Sequence, residues 1–200
     1  MDYWIPVALI AGYVLGSIPF GLLITRLAGL GDIRNIGSGN IGATNVLRTG
    51  RKDLALATLL LDSFKAGFAV LILTALTGDR NIGLMSGAAA FLGHCYPIWL
   101  RFKGGKGVAT YAGLLIFASF KGFLIGMPIW LSLFALTRIS SLSALVAAAA
   151  VPVGAYVLGE TPFACAVLAL LSVLVFWTHR TNIGRLFKGE EPKFGQKSAS

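Results

Sequence analysis

The sequence predicts an all-α integral membrane protein, folded as a compact bundle of about seven transmembrane helices. The chain of 200 residues is 56% hydrophobic and only 12% charged, whereas soluble domains carry about 25% charged residues. Its apolar residues are grouped into long runs, and a helix needs roughly 20 apolar residues to cross a bilayer. We therefore expect one transmembrane domain over residues 1–188, followed by a short cytoplasmic tail over residues 189–200.

Charges and turn residues divide the chain into seven apolar runs, each a candidate span. They cover residues 3–25, 54–77, 82–100, 108–120, 122–137, 142–158 and 162–178. The first run has no basic residue before it and is too long for the apolar region of a signal peptide, so we expect a retained helix. The fourth and fifth runs are shorter than a full crossing requires. They predict tilted or half-spanning helices, and five crossings are the alternative to seven.

The basic residues indicate which way the spans run. Most of the 17 lysines and arginines fall in residues 26–52, in residues 101–106, at Arg138 or in the C-terminal tail. The opposite face keeps Arg80 and Lys121. Because basic loops stay in the cytoplasm, we expect the N-terminus outside, the C-terminus inside and an odd number of crossings. The net charge of +9 indicates anionic membrane lipids as partners and no nucleic acid.

Small residues and prolines predict how the spans pack. Glycines four residues apart, such as Gly12 and Gly16, let helix backbones approach closely in lipid. Prolines would kink or interrupt spans, where neighbouring groups can satisfy the exposed backbone. These prolines are Pro6, Pro19, Pro97, Pro128 and Pro152.

Three polar segments stand at the ends of apolar runs, at residues 37–48, 103–107 and 179–185. In the predicted orientation all three face the cytoplasm, as do the beginnings of the second, fourth and sixth runs. A helix N-terminus exposes unpaired N–H groups and a positive dipole end, which suits phosphate. The three segments therefore predict one anion-binding site at the boundary between water and lipid.

The segment at residues 37–48 is rich in glycine and in hydrogen-bonding side chains. Gly37, Gly39 and Gly42 permit unusual backbone angles, and an arginine can bind phosphate with two hydrogen bonds. The candidate residues for binding or reacting with a substrate are Ser38, Gly39, Asn40, Thr44, Asn45 and Arg48. Apolar residues alternate with the polar ones, which predicts that the segment folds back into the bundle. A flexible loop is the alternative.

Residues 103–107 read Lys-Gly-Gly-Lys-Gly. They do not match a Walker P-loop, in which serine or threonine follows the lysine. Glycines nevertheless allow backbone N–H groups to surround an anion, and lysines add positive charge. The predicted phosphate-binding residues are Lys103, Gly104, Gly105, Lys106 and Gly107, and an ordinary basic turn is the alternative.

The sixth run begins with Ser-Ser-Leu-Ser at residues 140–143. This pattern resembles a helix N-cap, in which a serine hydroxyl accepts a hydrogen bond from the first turn. Ser141 and Ser143 are therefore further candidates for binding phosphate.

Two ionisable residues lie inside the second run. Asp62 and Lys65 are three residues apart, so they share one helix face. Ionisable groups within a span are functional candidates by default, which makes Asp62 a candidate base and Lys65 a candidate phosphate ligand. A structural ion pair is the alternative. His94, just before Pro97, is interpreted as a hydrogen-bonded structural histidine.

His179 ends the last run and precedes several polar residues. A helix C-terminus favours its protonated form, and its side chain could orient an anion, act as a base or cap the helix. Asn182 and Arg185 follow as candidate catalytic and binding residues. Glu190 and Glu191 could pair with arginines, and Glu190 is included among the candidate binding residues.

These motifs resemble the signatures of the bacterial acyl-phosphate:glycerol-3-phosphate acyltransferases. The similar stretches are GSIPFG at 16–21, GSGNIGATN at 37–45 with Arg48, GHCYP at 93–97, FKGGKGVAT at 102–110, HRTNIGRL at 179–186 and GEE at 189–191. Asp62 and Lys65 also fall where that family carries such a pair. The resemblance covers almost the whole chain, in order and at family-like spacing.

The resemblance implies transfer of a fatty acyl group from an acyl phosphate to the 1-hydroxyl of glycerol 3-phosphate. The products are 1-acylglycerol 3-phosphate (lysophosphatidate) and phosphate, in the first step of phospholipid synthesis at the inner face of the bacterial membrane. An acyl phosphate is a reactive mixed anhydride, so the enzyme chiefly needs to position its substrates and stabilise an oxyanion. We expect no metal and no other cofactor.

We hypothesise direct transfer without an acyl-enzyme. Ser38, Asp62, His179 and Asn182 are the candidate catalytic residues, and the other candidates would hold phosphate or orient the substrates. The proton acceptor stays open between His179, Asp62 and a phosphate oxygen of the substrate.

Two alternatives belong to other functional classes. A small anion transporter would place the Asp62–Lys65 pair and helix N-termini at its substrate site, but the sequence lacks the expected inverted repeat. An intramembrane serine hydrolase would use Ser38 with His179, but the motif Gly-x-Ser-x-Gly is missing around Ser38.

Overall fold

The computed structural model describes residues 3–195, and the secondary structure of that part of the chain is entirely helical. Its α-helices are α1 (Trp4–Gly16), α2 (Phe20–Leu27), α3 (Ala43–Leu47), α4 (Lys52–Thr77), α5 (Arg80–Cys95), α6 (Val108–Ala118), α7 (Phe120–Thr137), α8 (Ser140–Val157), α9 (Pro162–Thr178) and α10 (Arg180–Phe187). Two short 3-10 helices, Ile33–Asn35 and Ile98–Leu100, lie in the connections.

Each of the seven predicted runs contains a helix, but the helices differ in length. Among the described residues, four stretches are long and apolar enough to cross a membrane, namely α1 with α2, α4, α7 and α8. A fifth is added if α9 and α10, which meet at 61°, form one span. Helices α5 and α6 have only 16 and 11 residues, short of the roughly 20 that a crossing needs. The number of crossings and the orientation stay predictions.

The chain forms two compact units, Met1–Phe120 and Lys121–Ser200. The polar segments at residues 37–48 and 103–107 belong to the first unit. The polar segment at residues 179–185 belongs to the second.

In the first unit, glycines allow α1 to lie directly on α5. A Cβ on Gly12 would overlap the carbonyl oxygen of Ser86. A Cβ on Gly16 would overlap the backbone of Ala90. These contacts confirm that Gly12 and Gly16 serve close helix packing.

The first helical stretch is interrupted between α1 and α2 by Pro19, as predicted. Proline has no N–H and cannot continue the helical hydrogen bonds. At this break, Trp99 donates its Nε1–H to the carbonyl of Ser17 at 2.7 Å, and Lys65 donates from Nζ to the carbonyl of Ile18 at 3.1 Å. Because an unpaired backbone group is costly inside a membrane, these two side chains stabilise the break.

In the second unit, α8 and α9 pack together, and Ser172 of α9 donates a hydrogen bond to the carbonyl of Ala148 in α8 at 2.7 Å. Pro128 and Pro152 lie inside α7 and α8 without ending them. Helix α9 ends at Thr178, and the chain bends into α10 at the next residue. This bend places the polar segment of the second unit on a separate short helix.

Candidate active site

Asn45 supports the segment at residues 37–48 from inside. Its amide nitrogen lies 2.8 to 3.0 Å from three backbone carbonyls, those of Ile33, Ile36 and Asn40, so its two N–H donors are shared among three acceptors. Its amide oxygen accepts from the backbone N–H of Ser38 at 2.9 Å and from the Ser38 hydroxyl at 3.3 Å. Asn45 is only 2% exposed. The polar atoms of Asn45 thus bind the segment itself, and a contact of Asn45 with substrate stays a prediction.

The apolar residues of this segment are buried, which confirms that it folds back onto the bundle. Ile41 and Val46 are at most 2% exposed, and they form a cluster with Leu22, Ile33 and Ala55. The alternative of a flexible loop is thereby excluded for the packed side of the segment.

Two glycines allow the backbone of this segment to turn. Gly37 and Gly39 have positive φ angles of 56° and 70°, a region that favours glycine. Gly42 instead has an ordinary φ of −81°, so only two of the three glycines are needed for unusual angles. The side chains left exposed on the segment are Ser38, Thr44 and Arg48.

Arg48 differs from the arginines near it in the chain, which are paired with aspartates. The pairs are Arg26–Asp32, Arg34–Asp32 and Arg51–Asp53, with N–O distances of 2.6 to 2.8 Å. The hydrogen bond from Arg34 holds the pKa of Asp32 well below its usual range, so that carboxylate stays charged. Within residues 3–195, Arg48 has no carboxylate partner. Its guanidinium, which lies beside Gly37, is thus available for an anion.

Lys65 is the centre of a buried polar group in the first unit. Its ammonium contacts Asp62 Oδ1 at 2.9 Å, His94 Nδ1 at 2.8 Å and the carbonyl of Ile18 at 3.1 Å. An ammonium has three N–H donors, so all three are used. Lys65 and Asp62 are each 2% exposed. These contacts support the structural ion pair, and the prediction that Lys65 binds phosphate stays a prediction; His94 is hydrogen-bonded as expected.

The loop at residues 103–107 lies directly on His94. The backbone N–H groups of Gly104 and Gly105 donate to the carbonyls of Cys95 and His94, each at 3.0 Å. A Cβ on Gly105 would overlap Nε2 of the His94 ring. Lys103 is exposed and Lys106 half-buried.

Gly107 joins this loop to α6. It is the N-cap residue of α6, with a φ of 81°. A Cβ at this position would overlap the ring of Phe91. Glycine is therefore required here both for its backbone angle and for space.

In the second unit, the carboxylate of Glu191 gathers the polar residues of three segments. Oε1 accepts hydrogen bonds from the Ser141 hydroxyl at 2.7 Å and from the Asn182 amide. Oε2 lies 2.7 Å from Nε of Arg185. Burial works to raise the pKa of Glu191, but the hydrogen bonds from Ser141, Asn182 and Arg185 outweigh it and hold the pKa below its ordinary value.

The two glutamates of the second unit differ in their surroundings. Glu190, a predicted binding residue, is exposed and its role stays a prediction, whereas the adjacent Glu191 occupies the polar cluster. Helix α8 is not capped by serine, because its N-cap residue is Ile139 and makes no side-chain cap. Ser143 instead donates back to the carbonyl of Ile139 at 3.0 Å, and Ser141 is committed to Glu191.

His179 stands at the bend between α9 and α10 and is 3% exposed. Its Nδ1 lies 2.8 Å from the carbonyl of Val175. A carbonyl can only accept, so Nδ1 carries a proton and any lone pair of the neutral ring is on Nε2. This tautomer suits a base that acts through Nε2.

Two structural relationships could not be predicted from the sequence. Spacing could not separate Glu190 from Glu191, because the path of the chain after α10 decides which of the two points inward. Nor could it join Lys65 to His94, which are 29 positions apart. The only feature of the sequence that indicated a contact between Lys65 and His94 was that each is a polar residue inside an apolar run.

Comparison with known proteins shows the family of this chain. A family model described as glycerol-3-phosphate acyltransferase matches residues 6–189. A glycerol-3-phosphate acyltransferase of Hyphomonas neptunium is 67% identical and covers 95% of this chain and 92% of its own length. That of Brucella ovis is 56% identical, with coverages of 95% and 93%.

Two solved structures have the same fold. One is PlsY (YgiH), an integral membrane glycerol 3-phosphate acyltransferase in its glycerol 3-phosphate form, with a TM-score of 0.89, 37% identity and 96% coverage of each chain. The other is its lysophosphatidic acid form, with a TM-score of 0.87 and 35% identity over 96% of this chain and 95% of that one. With the helices described above, this likeness confirms the predicted all-α integral membrane protein. The chain therefore belongs to the glycerol-3-phosphate acyltransferase family and is a membrane acyltransferase.

Proposed function

We propose that this enzyme transfers a fatty acyl group from an acyl phosphate to the 1-hydroxyl of glycerol 3-phosphate, releasing lysophosphatidate and phosphate. The names of the relatives and the two forms of the solved PlsY support the acceptor and the product. The acyl phosphate donor is what the family resemblance implies, and it fits a site of positioned cations because phosphate leaves a mixed anhydride readily.

One observation carries the proposal at the level of the site, namely the guanidinium of Arg48, which lies beside Gly37 and has no carboxylate partner among the described residues. A guanidinium binds a phosphate group with two parallel hydrogen bonds. Lys103 is a second exposed cation without a carboxylate partner in the described part of the chain. In our proposal Arg48, Lys103 and Lys106 hold phosphate groups, and Ser38, Asn40 and Thr44 orient the carbonyl and the hydroxyl.

The experiment is an assay of the purified protein in detergent with an acyl phosphate and glycerol 3-phosphate. We expect lysophosphatidate only when both substrates are present. Product from an acyl thioester in place of acyl phosphate would overturn the proposed donor. Uptake of labelled anion into vesicles without any product would favour a transporter.

Matched arginine variants test the site. Arg48→Ala should raise the KM of a phosphate substrate by about tenfold or more, because a charge-assisted hydrogen bond is worth about 1.5 to 3 kcal/mol. Arg34→Ala removes an arginine already neutralised by Asp32 and should change that KM by less than about twofold. Equal effects of the two substitutions would contradict a specific role for Arg48.

We further propose direct transfer without an acyl-enzyme. The hydroxyl of Ser38 bonds to the amide oxygen of Asn45, which is not a base and cannot activate a nucleophile. Ser38→Ala should therefore lower kcat without abolishing turnover. Acyl phosphate labelled in its chain should leave no label on the denatured protein, and an acylated Ser38 would overturn the proposal.

The proposed proton acceptor is Nε2 of His179, since Nδ1 is held by the carbonyl of Val175. His179→Ala should then remove the acidic limb of the pH–rate profile, whereas Asp62→Asn should keep it. An unchanged profile in His179→Ala would overturn this assignment and favour a phosphate oxygen of the substrate as the proton acceptor.

We propose that the protein lies in the bacterial inner membrane with residues 37–48 and 103–107 facing the cytoplasm. The charge bias of the loops supports this orientation. In a background without Cys95 and Cys165, a Lys188→Cys variant should react with an impermeant thiol reagent in inverted vesicles only. Labelling in intact spheroplasts would overturn the orientation.

A further inference from the structure

The buried group of Asp62, Lys65 and His94 lies directly beneath the loop at residues 103–107. We propose that these three residues position this loop and do not themselves touch a substrate. The inference rests on the proposed function, in which Lys103 and Lys106 of the loop hold phosphate. It assigns Asp62 and Lys65 a role that differs from the base and the phosphate ligand predicted from sequence.

Lys65 is a rigid centre because its three donors have three acceptors on different parts of the chain. Asp62 lies on the same helix, His94 at the end of α5, and Ile18 in the break between α1 and α2. The ammonium also lies 5.8 Å from the ring centre of Phe20, within the range of a cation–π contact. Moving Lys65 would break all these contacts together, so its position is well determined.

The contact with Lys65 also determines the tautomer and the orientation of His94. Nδ1 lies 2.8 Å from Lys65 Nζ but 3.6 Å from Asp62 Oδ1. An ammonium can only donate, so Nδ1 accepts from Lys65 and cannot carry a proton directed at Asp62. His94 is therefore a neutral imidazole with its proton on Nε2, the atom that faces the loop.

Gly105 connects the ring to the loop. A Cβ on Gly105 would overlap Nε2 and lie within 2.6 Å of Cε1 of His94. Together with the hydrogen bonds from Gly104 and Gly105 to the carbonyls of Cys95 and His94, this contact sets how deeply the loop lies. A shift of the ring would therefore displace the loop and the lysines on each side of its two glycines.

Energetics favour positioning over stability as the reason for these charges. Taking two charges out of water is costly, and replacing a buried ion pair with well-packed apolar residues is often neutral or stabilising. The loop, by contrast, holds three glycines, which leave its backbone free to adopt many conformations. A displacement of about 1 Å in a group that positions a substrate can cost about 100-fold in rate. The rate that would be lost if the loop shifted therefore outweighs the cost of burying the charges of Asp62 and Lys65.

The test uses the complementary shapes of residues 94 and 105. His94→Asn keeps an acceptor near the position of Nδ1 for Lys65, and it removes Nε2 and Cε1, the atoms that a Cβ at position 105 would meet. We expect Gly105→Ala alone to raise the KM of at least one phosphate substrate by about tenfold or more. The double variant should recover at least about threefold of that loss, with an unchanged thermal midpoint. Additive or worse losses in the double variant would overturn the proposal.

A second variant separates positioning from stability. Asp62→Asn combined with Lys65→Gln keeps a neutral hydrogen-bonded pair. Positioning predicts a KM for a phosphate substrate that rises by about threefold or more in the folded protein. A lower thermal midpoint with unchanged kcat and KM would show a merely structural role and overturn the proposal.

Failure of this inference is distinguishable from failure of the proposed function. If Lys103→Ala and Lys106→Ala leave the KM values of both substrates unchanged, the loop does not bind phosphate, and its role in the proposed function and this inference are both overturned, whereas the acyl transfer itself is tested by lysophosphatidate formation. If those variants raise KM while the Gly105 and His94 substitutions act independently, only the positioning role is overturned.

Discussion

The carboxylate of Glu191 accepts a hydrogen bond from the hydroxyl of Ser141 at 2.7 Å, although the two residues are 50 positions apart. The same carboxylate binds Asn182 and Arg185. One acidic side chain thus joins the start of α8, the helix α10 and the segment that follows it. The residue lies within the segment predicted as a tail, so the beginning of that segment is anchored.

This cluster predicts how stability depends on pH. The pKa of Glu191 is lower in the folded protein than its ordinary value of about 4.5, so its contribution to stability is present above about pH 4.5. The contribution is lost as the pH falls below that value and through the lower folded-state pKa. Glu191→Gln should reduce the thermal midpoint at neutral pH, and its difference from the parent protein should shrink toward pH 3 or so.

The control for this experiment is Glu190→Gln. Glu190 is exposed and outside the cluster, so its midpoint should follow that of the parent protein at every pH. A difference between Glu191→Gln and the parent that stays constant down to the lowest pH would contradict the ionic cluster.

Removing the single amide of Asn45 should lower stability strongly. Asn45→Ala removes the two N–H donors that three backbone carbonyls share and the acceptor for Ser38. Leaving buried backbone groups unpaired should cost about 2 to 3 kcal/mol of unfolding free energy. Activity should fall as well, because Ser38 and Arg48 lose their support.

Thr44→Ala is the matched control, since this neighbouring side chain is exposed and should change stability by less than about 0.5 kcal/mol. Denaturant unfolding in mixed micelles measures both variants. Similar unfolding free energies for the two would show that Asn45 does not support the segment.

Alanine should cost more stability at Gly107 than at Gly29, although both glycines have positive φ angles. Gly107 and Gly29 have φ angles of 81° and 75°. An alanine at Gly29 meets nothing within 4 Å, whereas at Gly107 it would overlap Phe91. Gly29→Ala should therefore cost only the backbone strain of about 1 to 2 kcal/mol.

Gly107→Ala should cost about 1 to 3 kcal/mol more than that, because overpacking adds to the strain. Thermal unfolding of both variants gives the comparison. Equal losses would mean that Phe91 moves aside without penalty.

We can predict how much the hydrogen bond of Trp99 at the break between α1 and α2 contributes to stability. Trp99→Phe removes the donor to the carbonyl of Ser17 and should cost about 1 kcal/mol beyond the loss of ring volume. Trp130 is the matched control, because its buried Nε1 has no partner among the described residues. Trp130→Phe loses similar volume but also removes an unpaired donor, so it should be tolerated better. The reverse order of thermal midpoints would contradict this account.

The sequence determined the character of the protein and the identity of its polar segments. Apolar runs separated by glycine-rich and basic segments are dictated by the bilayer, which requires helices wherever the backbone is surrounded by lipid. That requirement is local, so it can be read from composition. Pro19 interrupting a helix and Gly12 and Gly16 at a helix contact were predictable for the same reason, since each follows from the covalent structure of one residue.

Tertiary structure alone decided which polar residues face outward and which support the others. Asn45, Lys65 and Glu191 are as polar as Ser38, Arg48 and Lys103, and nothing in the spacing separates the two groups. Their difference arises from partners 5 to 50 positions away, such as Asn40 for Asn45, His94 for Lys65 and Ser141 for Glu191. A buried polar group must find its hydrogen-bond partners wherever the fold brings them. Only the folded chain therefore shows that the ammonium of Lys65 contacts His94.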